Sequence, residues 1–371
     1  MNWARIKWHL QRQDWGLTLA VLVLMVSGVF FIYSASFQQV DLPVSRMYQR
    51  QILWALVGIG GYVTLAMNDY RRIASAAWWI YAVTLVLLVL VLFVGKQVHG
   101  ASRWLSLFNI QVQPAEFAKL GVLLLVARYW SRPDLDPDHP GYLVAALGMA
   151  LIPFLLIARQ PDLGTAMTLW PMTLVILFVG GVRLKWLVIL AMVGLMLLPV
   201  GWFSLGQYQQ NRILVFIDAD RDPYGAGWNR IQSQIAVGSG GLTGKGYLQG
   251  TQNVLGYLPR AVAPTDFIYS VIAEEKGFVG SVTMLLLYGV MLAAGIRAAV
   301  VARDRLGRYL AAGITGLIFF HVFVNVAMTV GLMPITGLPL PLMSYGGSFM
   351  VSTMLCLGLL QSIIIRRGRR F

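Results

Sequence analysis

"FVGSVTMLLLYGVMLAAGI", residues 278–296, runs 19 residues without a charge, and the stretch leading into it, "APTDFIYSVIAEEKGFVG" at 263–280, carries Asp266, Glu274 and Glu275. A bilayer core of about 30 Å is crossed by roughly 20 apolar residues in a helix, so the first stretch is a membrane span. A greasy helix gains nothing by opening with carboxylates, so these acids need another reason to be there. Continuing the helix back to Asp266 adds twelve residues, about 18 Å at 1.5 Å per residue, which lifts that carboxylate to the outer rim of the membrane or above it. Pro264 favours an extended residue before it, Thr265 is a natural N-cap, and Asp266 then falls in the first turn, where the helix dipole favours negative charge.

The bulk of the chain agrees. Of 371 residues, 58% are hydrophobic and 12% are charged, with a mean hydropathy of +0.69. A soluble domain carries about 25% charge, so a self-contained soluble protein is excluded. The 12 Trp and 15 Tyr suit interfacial belts. The single cysteine, Cys356, excludes an intrachain disulfide. The net charge of +14 gathers beside apolar segments, where it orients the chain and meets anionic headgroups rather than nucleic acid.

Ten spans are expected, at about 17–36, 51–68, 75–95, 114–130, 142–158, 164–182, 185–206, 277–297, 309–331 and 345–365. The expected fold is an all-α polytopic membrane protein, a single domain over 1–371. "SAS" at 34–36 faintly resembles a cleavage site, but the long apolar stretch and the nine spans after it favour an uncleaved first span. With the N-terminus inside, 17 of the 29 Lys and Arg fall on the inner side, among them Arg71, Arg72, Arg303, Arg308, Arg369 and Arg370. Short outer loops hold only Arg46, Arg50, Lys96, Arg103 and Arg159. The positive-inside rule therefore places both termini in the cytoplasm. A large extracytoplasmic loop, about 207–267, follows span seven; its apolar pieces suggest interfacial or re-entrant helices.

Several charged motifs fall on the outer side with Asp266. "QVQPAEFAKLGV" opens span four, with Pro114 suited to the first helical position and Glu116 and Lys119 spaced i, i+3 to pair on one face. "ARQPDLGT" supplies Asp162 and "ASRW" supplies Arg103. Ionisable residues in membrane segments are functional candidates by default, and charges of both signs around one external cavity suit a polar substrate. "AVGSGGLTGKGYLQG" fails the P-loop spacing, leaving a looser backbone nest for phosphate beside Lys245. "IDADRDP" offers Asp218, Asp220 and Asp222 as oxygen ligands for a divalent cation, although such triplets are also common in solvated turns. His321 and Asn325 share a face of span nine and suit interhelical hydrogen bonds better than a reactive pair. No Ser-His-Asp set and no Cys/His zinc cluster is present.

Together "QPAEFAK", "QPDLGT", "IDADRDPYGAGWNRIQSQIAVGSGGLTGKGYLQGTQ", "TDFIYSVIAEEKGFVG" and "PITGLPLPLMSYGGS" resemble the SEDS family of cell-wall polymerases, from about residue 15 to 367. The tract ending "GKGYLQGTQ" looks closer to the RodA branch than to the division branch, FtsW. The resemblance implies a ten-helix glycosyltransferase that polymerises lipid II on the outer face of a bacterial cytoplasmic membrane. It also implies a class B penicillin-binding protein and other elongation-complex membrane proteins as partners. The family's essential aspartate maps onto Asp266, and its paired Glu and Lys onto Glu116 and Lys119. The chain departs from the family at "PRAVAPTD", where Arg260 stands in place of a common acid and Pro264 in place of a common His.

The implied chemistry gives Asp266 the role of general base for an acceptor sugar hydroxyl in a single inverting displacement. The departing pyrophosphate needs cations, for which Lys119, Arg103, Lys245 and Arg212 are candidates, with a divalent ion as a further one. Glu116 would orient Lys119 or shape the cavity. The rival readings are a division-specific polymerase of the FtsW type, a lipid II flippase, and a scaffold that recruits its partner through the 207–267 loop.

Overall fold

A computed structural model describes residues 3–37, 46–98, 101–107 and 110–368; Arg369 and Arg370 lie outside the described residues. The chain opens with a short basic helix, α1 (Trp3–Arg12), then α2 (Trp15–Ser36), α3 (Met47–Met67), the short α4 (Tyr70–Ser75) and α5 (Ala77–Val94). Three short strands follow, β1 (Lys96–Val98), β2 (Ala101–Leu107) and β3 (Ile110–Val112), and then α6 (Pro114–Trp130) and α7 (Pro140–Ala158). Next come α8 (Leu163–Met167), α9 (Leu169–Val179) and α10 (Leu184–Ser204). The long connection contains α11 (Gln207–Ile217), a 3-10 turn at Ala219–Arg221, α12 (Ala226–Ser239) and α13 (Thr251–Val254). The chain ends with α14 (Ile268–Val301), α15 (Arg305–Thr329) and α16 (Gly347–Ile365).

Eight of these helices are long and apolar enough to cross a membrane. The fourth and sixth expected spans fall outside that set: α6 has 17 residues, and α8 and α9 divide the apolar run Leu163–Val179. The all-α expectation is corrected between α5 and α6. There the strands form a small antiparallel sheet, pairing Lys96 with Trp104 and Leu105 with Val112. Two of the strands have three residues, too short to show an alternation, and the seven of β2, "ASRWLSL", do not alternate regularly between apolar and polar, so the sheet was not visible in sequence.

Bilayer solvation reverses the usual layering. The helices α6, α15 and α16 form the interior; 89% of the α16 span is buried. The helices α5 and α10 turn Trp79, Phe93 and Phe203 outward, each more than three-quarters exposed, as suits side chains facing lipid. Lipid supplies no hydrophobic drive between helices, so close backbone approach takes over. A Cβ on Gly358 of α16 would lie 2.7 Å from the Tyr62 carbonyl oxygen of α3, so only glycine permits this packing.

Polar groups gather at the two ends of the bundle. At one end Arg71 pairs with Asp304 at 2.6 Å and Arg297 with Asp14 at 2.7 Å, tying α4 to α15 and α14 to α2. Asp14 and Asp304 also cap the N-termini of α2 and α15 by accepting from Leu17 and Gly307. Gln361 near the end of α16 donates to the Asp14 carbonyl, so the N-terminal helices and the C-terminal end of α16 lie at this same end. The opposite end carries the small sheet, α11 to α13 and the segment between α15 and α16.

Candidate active site

Asp266 stands in the turn that leads into α14, not in the helix. The helix begins at Ile268, its cap residue Phe267 offers no side-chain hydrogen bond, and the Thr265 hydroxyl donates back to the Val262 carbonyl at 3.1 Å. The expected Thr265 cap and first-turn position of Asp266 are therefore corrected. The turn is clamped from outside: the Tyr345 amide donates to the Pro264 carbonyl at 2.8 Å and the Ser344 hydroxyl to the Thr265 carbonyl. Asn325 of α15 donates to the Asp266 carbonyl at 2.9 Å and to the Leu338 carbonyl at 2.8 Å.

These contacts bring the segment between α15 and α16 against the aspartate. Gly337 sits there with a φ of 75°, and a Cβ on it would lie 3.4 Å from both Asp266 Oδ2 and Arg212 Nη1. Arg212 reaches this point from α11, its guanidinium 4.6 Å from the centre of the Tyr208 ring. From the other side, β2 delivers Arg103, which donates to the carbonyls of Gln160 and Pro161 and lies 3.9 Å from Asp162. Asp162 caps α8 through the Thr165 amide and accepts from the Gln113 side chain at 2.9 Å. So four sequence candidates, Asp266, Arg212, Arg103 and Asp162, converge at one end of the bundle. Asp266 keeps part of its surface open, yet the protein mass around it pushes its carboxyl above the usual carboxylate range. Arg212 opposes that shift, Asp162 adds to it and Arg103 opposes it. A carboxylate with raised proton affinity, flanked by fixed guanidinium groups, can take a proton from a hydroxyl and hold an anion beside it.

Glu116 and Lys119 pair as their spacing implies, at 2.7 Å, each 3% exposed, inside the bundle. Lys119 also lies 3.2 Å from His321 Nε2 and 5.0 Å from the centre of the Phe349 ring. Ser352 donates to Glu116 at 3.3 Å. A water-sized cavity of about 20 Å³ opens among Glu116, Lys119, His321, Phe349 and Ser352.

Lys245 has a different setting. Its ammonium donates to Glu274 at 2.7 Å and to the Thr251 hydroxyl at 2.6 Å, and Glu274 also accepts from the Gln252 amide at 2.9 Å. Several backbone amides of the glycine stretch around it are already committed within the protein, which argues against a phosphate nest there. Gly244 donates to Gly240, Lys245 to the Glu274 carbonyl and Gly246 to the Glu275 carbonyl. In return the Phe278 and Val279 amides donate to the carbonyls of Gly241 and Leu242. The stretch thus splints a break in α14 at Gly277, whose φ of 62° and ψ of −158° leave the helical region. The continuous helix expected from Asp266 onward is in fact two pieces.

The aspartate triplet does not converge either. Asp218 accepts from the Asp220 amide and pairs with Arg221 at 3.5 Å, while Asp222 accepts from the Ala226 amide at 2.8 Å. Among the described residues, no three His, Cys, Asp or Glu side chains gather to hold a metal. Arg260, at the departure from the family pattern, is exposed beside Gly256. Sequence reasoning grouped His321 and Asn325 on one face as hydrogen-bonding residues. It did not find that they grip Lys119 and the Asp266 turn, since their partners lie far along the chain.

Comparison with known proteins places this geometry. The chain is 38% identical to the peptidoglycan glycosyltransferase MrdB of Escherichia coli K12 over 97% of this chain and 95% of that one. It is 33% identical to the peptidoglycan glycosyltransferase RodA of Treponema pallidum, covering 95% of this chain and 98% of that one. Among solved structures, a chain from a peptidoglycan synthase complex that coordinates polymerisation and crosslinking superposes with a TM-score of 0.79 at 33% identity, covering 96% of this chain and 99% of that one. The rod-shape-determining protein RodA of Thermus thermophilus superposes at 0.71 and 31% identity, covering 96% and 98%. The cell cycle protein family FTSW_RODA_SPOVE matches residues 15–368, and the chain belongs to that family.

Proposed function

We infer that the chain is a peptidoglycan glycosyltransferase of the RodA type, a multi-pass membrane enzyme that extends glycan strands during cell elongation. The observation that carries the site assignment is the Asp266 carboxylate facing Arg212 across Gly337, with Arg103 fixed beside Asp162. We propose lipid II as substrate and the outer face of the cytoplasmic membrane as the location. Both termini would then be cytoplasmic and the 207–267 loop external. The shared end of α1 and α16 and its excess of arginines support that orientation.

In the proposed step the acceptor sugar's hydroxyl oxygen attacks the anomeric carbon of the donor, and its proton passes to Asp266. The bond from that carbon to the pyrophosphate oxygen breaks with inversion, and the lipid pyrophosphate departs with the electron pair. Arg212 and Arg103 are placed to neutralise the charge that develops there. Lys119 already commits its ammonium to Glu116 and His321, so it supports the site from beneath instead of meeting the phosphate. Lys245, bonded to Glu274, fastens the loop. A divalent cation would supply further positive charge to the pyrophosphate, and Asp218, Asp220 and Asp222 do not converge to hold one together. The lipid chains have room beside α10, which packs against α9 alone among the larger contacts and has none of its span buried. The resemblance to a chain of a peptidoglycan synthase complex supports a penicillin-binding transpeptidase as partner.

Purified protein given labelled lipid-linked disaccharide-pentapeptide tests this directly. Polymer formation is expected, and Asp266→Asn should lower its rate by about 100- to 10,000-fold while the protein still folds. Transport of the lipid across vesicles without polymer would make the protein a flippase, and polymer from Asp266→Asn at the normal rate would remove the aspartate from the mechanism.

A further inference from the structure

The segment from Thr336 to Ser344 has an anchoring problem that its sequence creates. Pro339 and Pro341 lack amide hydrogens, so hydrogen bonds must grip the segment largely by its carbonyls. Two successive carbonyls, Leu338 and Pro339, are gripped by α15: Asn325 donates to the first at 2.8 Å, and His321 Nδ1 lies 3.3 Å from the second. His321 and Asn325 stand one helical turn apart, so one face of α15 holds both carbonyls. The residue immediately before this pair is Gly337, which abuts Asp266 and Arg212.

The other ring nitrogen of His321 meets Lys119. An ammonium carries three donors and no acceptor, so His321 Nε2 must accept from Lys119 and the proton must sit on Nδ1. The Pro339 carbonyl is the acceptor that this Nδ1–H requires. Both partners therefore select the same neutral tautomer. A doubly protonated ring would put two cations 3.2 Å apart in a buried site where Glu116 already balances Lys119. The charged and titratable groups facing the ring are Lys119 and Glu116 from α6, with Cys356 of α16 lining the same cavity.

We propose that His321, as its neutral Nδ1–H tautomer, is a positioning residue for glycan polymerisation. It joins the Glu116–Lys119 pair to the Pro339 carbonyl and so fixes the Gly337 backbone between Asp266 and Arg212. The proposal rests on Asp266 serving as the base. A misplacement of about 1 Å in such a site can cost on the order of 100-fold in rate.

The test uses the full-length protein with lipid-linked disaccharide-pentapeptide and three variants, with thermal unfolding measured in parallel. His321→Leu removes both bonds and is expected to lower kcat by about 10- to 100-fold while KM changes by less than about threefold. His321→Asn keeps a donor near the Nδ1 position and should recover most of the rate. His321→Gln brings its amide oxygen near the Nε2 position, as an acceptor for Lys119, and leaves the Nδ1 position without a donor, so it should recover less. Equal rates for His321→Leu and wild type, or equal loss in the Leu and Asn variants, would overturn the proposal. Nitrogen NMR of histidine-labelled wild type, assigned by difference from His321→Asn, supplies a readout that does not depend on the Leu variant folding. A protonated Nδ1 with a bare Nε2 is expected, and the opposite tautomer or a doubly protonated ring at neutral pH overturns the idea. If Asp266→Asn is dead while His321→Leu is normal, only this inference fails. If Asp266→Asn polymerises normally, the assignment beneath it fails.

Discussion

Asp266, in the turn before α14, and Glu274, in the first piece of that helix, stand eight residues apart and meet different company. Glu274 is wholly buried, and one of its oxygens accepts from the Lys245 ammonium, the Thr251 hydroxyl and the Gln252 amide. Its neighbour Glu275, equally buried, accepts from the Ser34 hydroxyl of α2. These donors sit in contact, at fixed places, and they fasten a loop across the break at Gly277. Asp266 keeps part of its surface open and is influenced by Arg212, Asp162 and Arg103. A carboxylate closed off from solvent and tied to adjacent donors through one oxygen has no face to offer a substrate; one held beside cations with an open face does.

The sharpest way to break that contrast is to neutralise each acid in turn. Asp266→Asn is expected to lower polymerisation by about 100- to 10,000-fold, the usual worth of a positioned general base. Glu274→Gln should retain most of the per-molecule rate of the folded fraction. Equal losses in protein of equal stability would erase the distinction between the two acids.

Next in size is Arg212→Gln, expected to cost at least about tenfold in kcat, since one donor aimed at developing charge is worth on the order of 100-fold in well-formed sites. Steady-state assays of the purified enzyme would expose the alternative, a pure KM effect, which would move Arg212 from the transition state to substrate capture.

The strap side predicts a change in stability instead. Lys245→Met leaves Glu274 buried without its cation and should destabilise the protein by about 1–3 kcal/mol. That lies below the cost of breaking a fully buried pair, because Lys245 is about one-quarter exposed. Thermal unfolding in detergent measures it; an unchanged midpoint together with a large rate loss would return Lys245 to the list of phosphate ligands.

Gly337→Ala probes the boundary of the active site. A left-handed φ disfavours any Cβ by about 1–2 kcal/mol, and this Cβ would also press on Asp266 and Arg212. A severalfold loss of kcat with a modest fall in unfolding temperature is the expected pattern.

The smallest effect concerns pH. Burial raises the Asp266 pKa, so its ionised form costs the folded protein stability, and that cost is present above the folded pKa and absent below the unfolded one. Asp266→Asn should therefore unfold slightly later than wild type at neutral pH, with the difference closing as pH falls through the folded pKa. The acid limb of the wild-type rate profile should lie above the ordinary aspartate value of about 3.9. A wild type more stable than the Asn variant at neutral pH would contradict the burial penalty.

Much of the fold was legible because its causes are local. Charge-free runs of helical length mark the spans, and Pro114, Glu116 and Lys119 announce a helix start and a pair on one face. The sheet between α5 and α6 was not legible, because two of its strands have three residues and "ASRWLSL" in β2 shows no regular alternation. The break in α14 was hidden too: Gly277 could as well have continued a helix, and only Gly241 and Leu242 accepting the orphaned amides makes the break tolerable. Within the site, the types of the functional residues could be read but their company could not. Helix-end position ranked Lys119 and Arg103 ahead of the loop residues Lys245 and Arg212 as phosphate cations, and sequence did not reveal that Glu116 and His321 reach Lys119 and that Glu274 reaches Lys245.

By itself the sequence determined a polytopic membrane chain with carboxylates held at the threshold of its helices. Hydropathy and i, i+3 adjacency act over a few residues and need no knowledge of the rest. Only the tertiary structure decided which acid stays available and which becomes a fastening. Electrostatic environment is set by groups that packing brings together from distant parts of the chain: Arg212 from α11, Arg103 from β2 and Gly337 from the segment before α16.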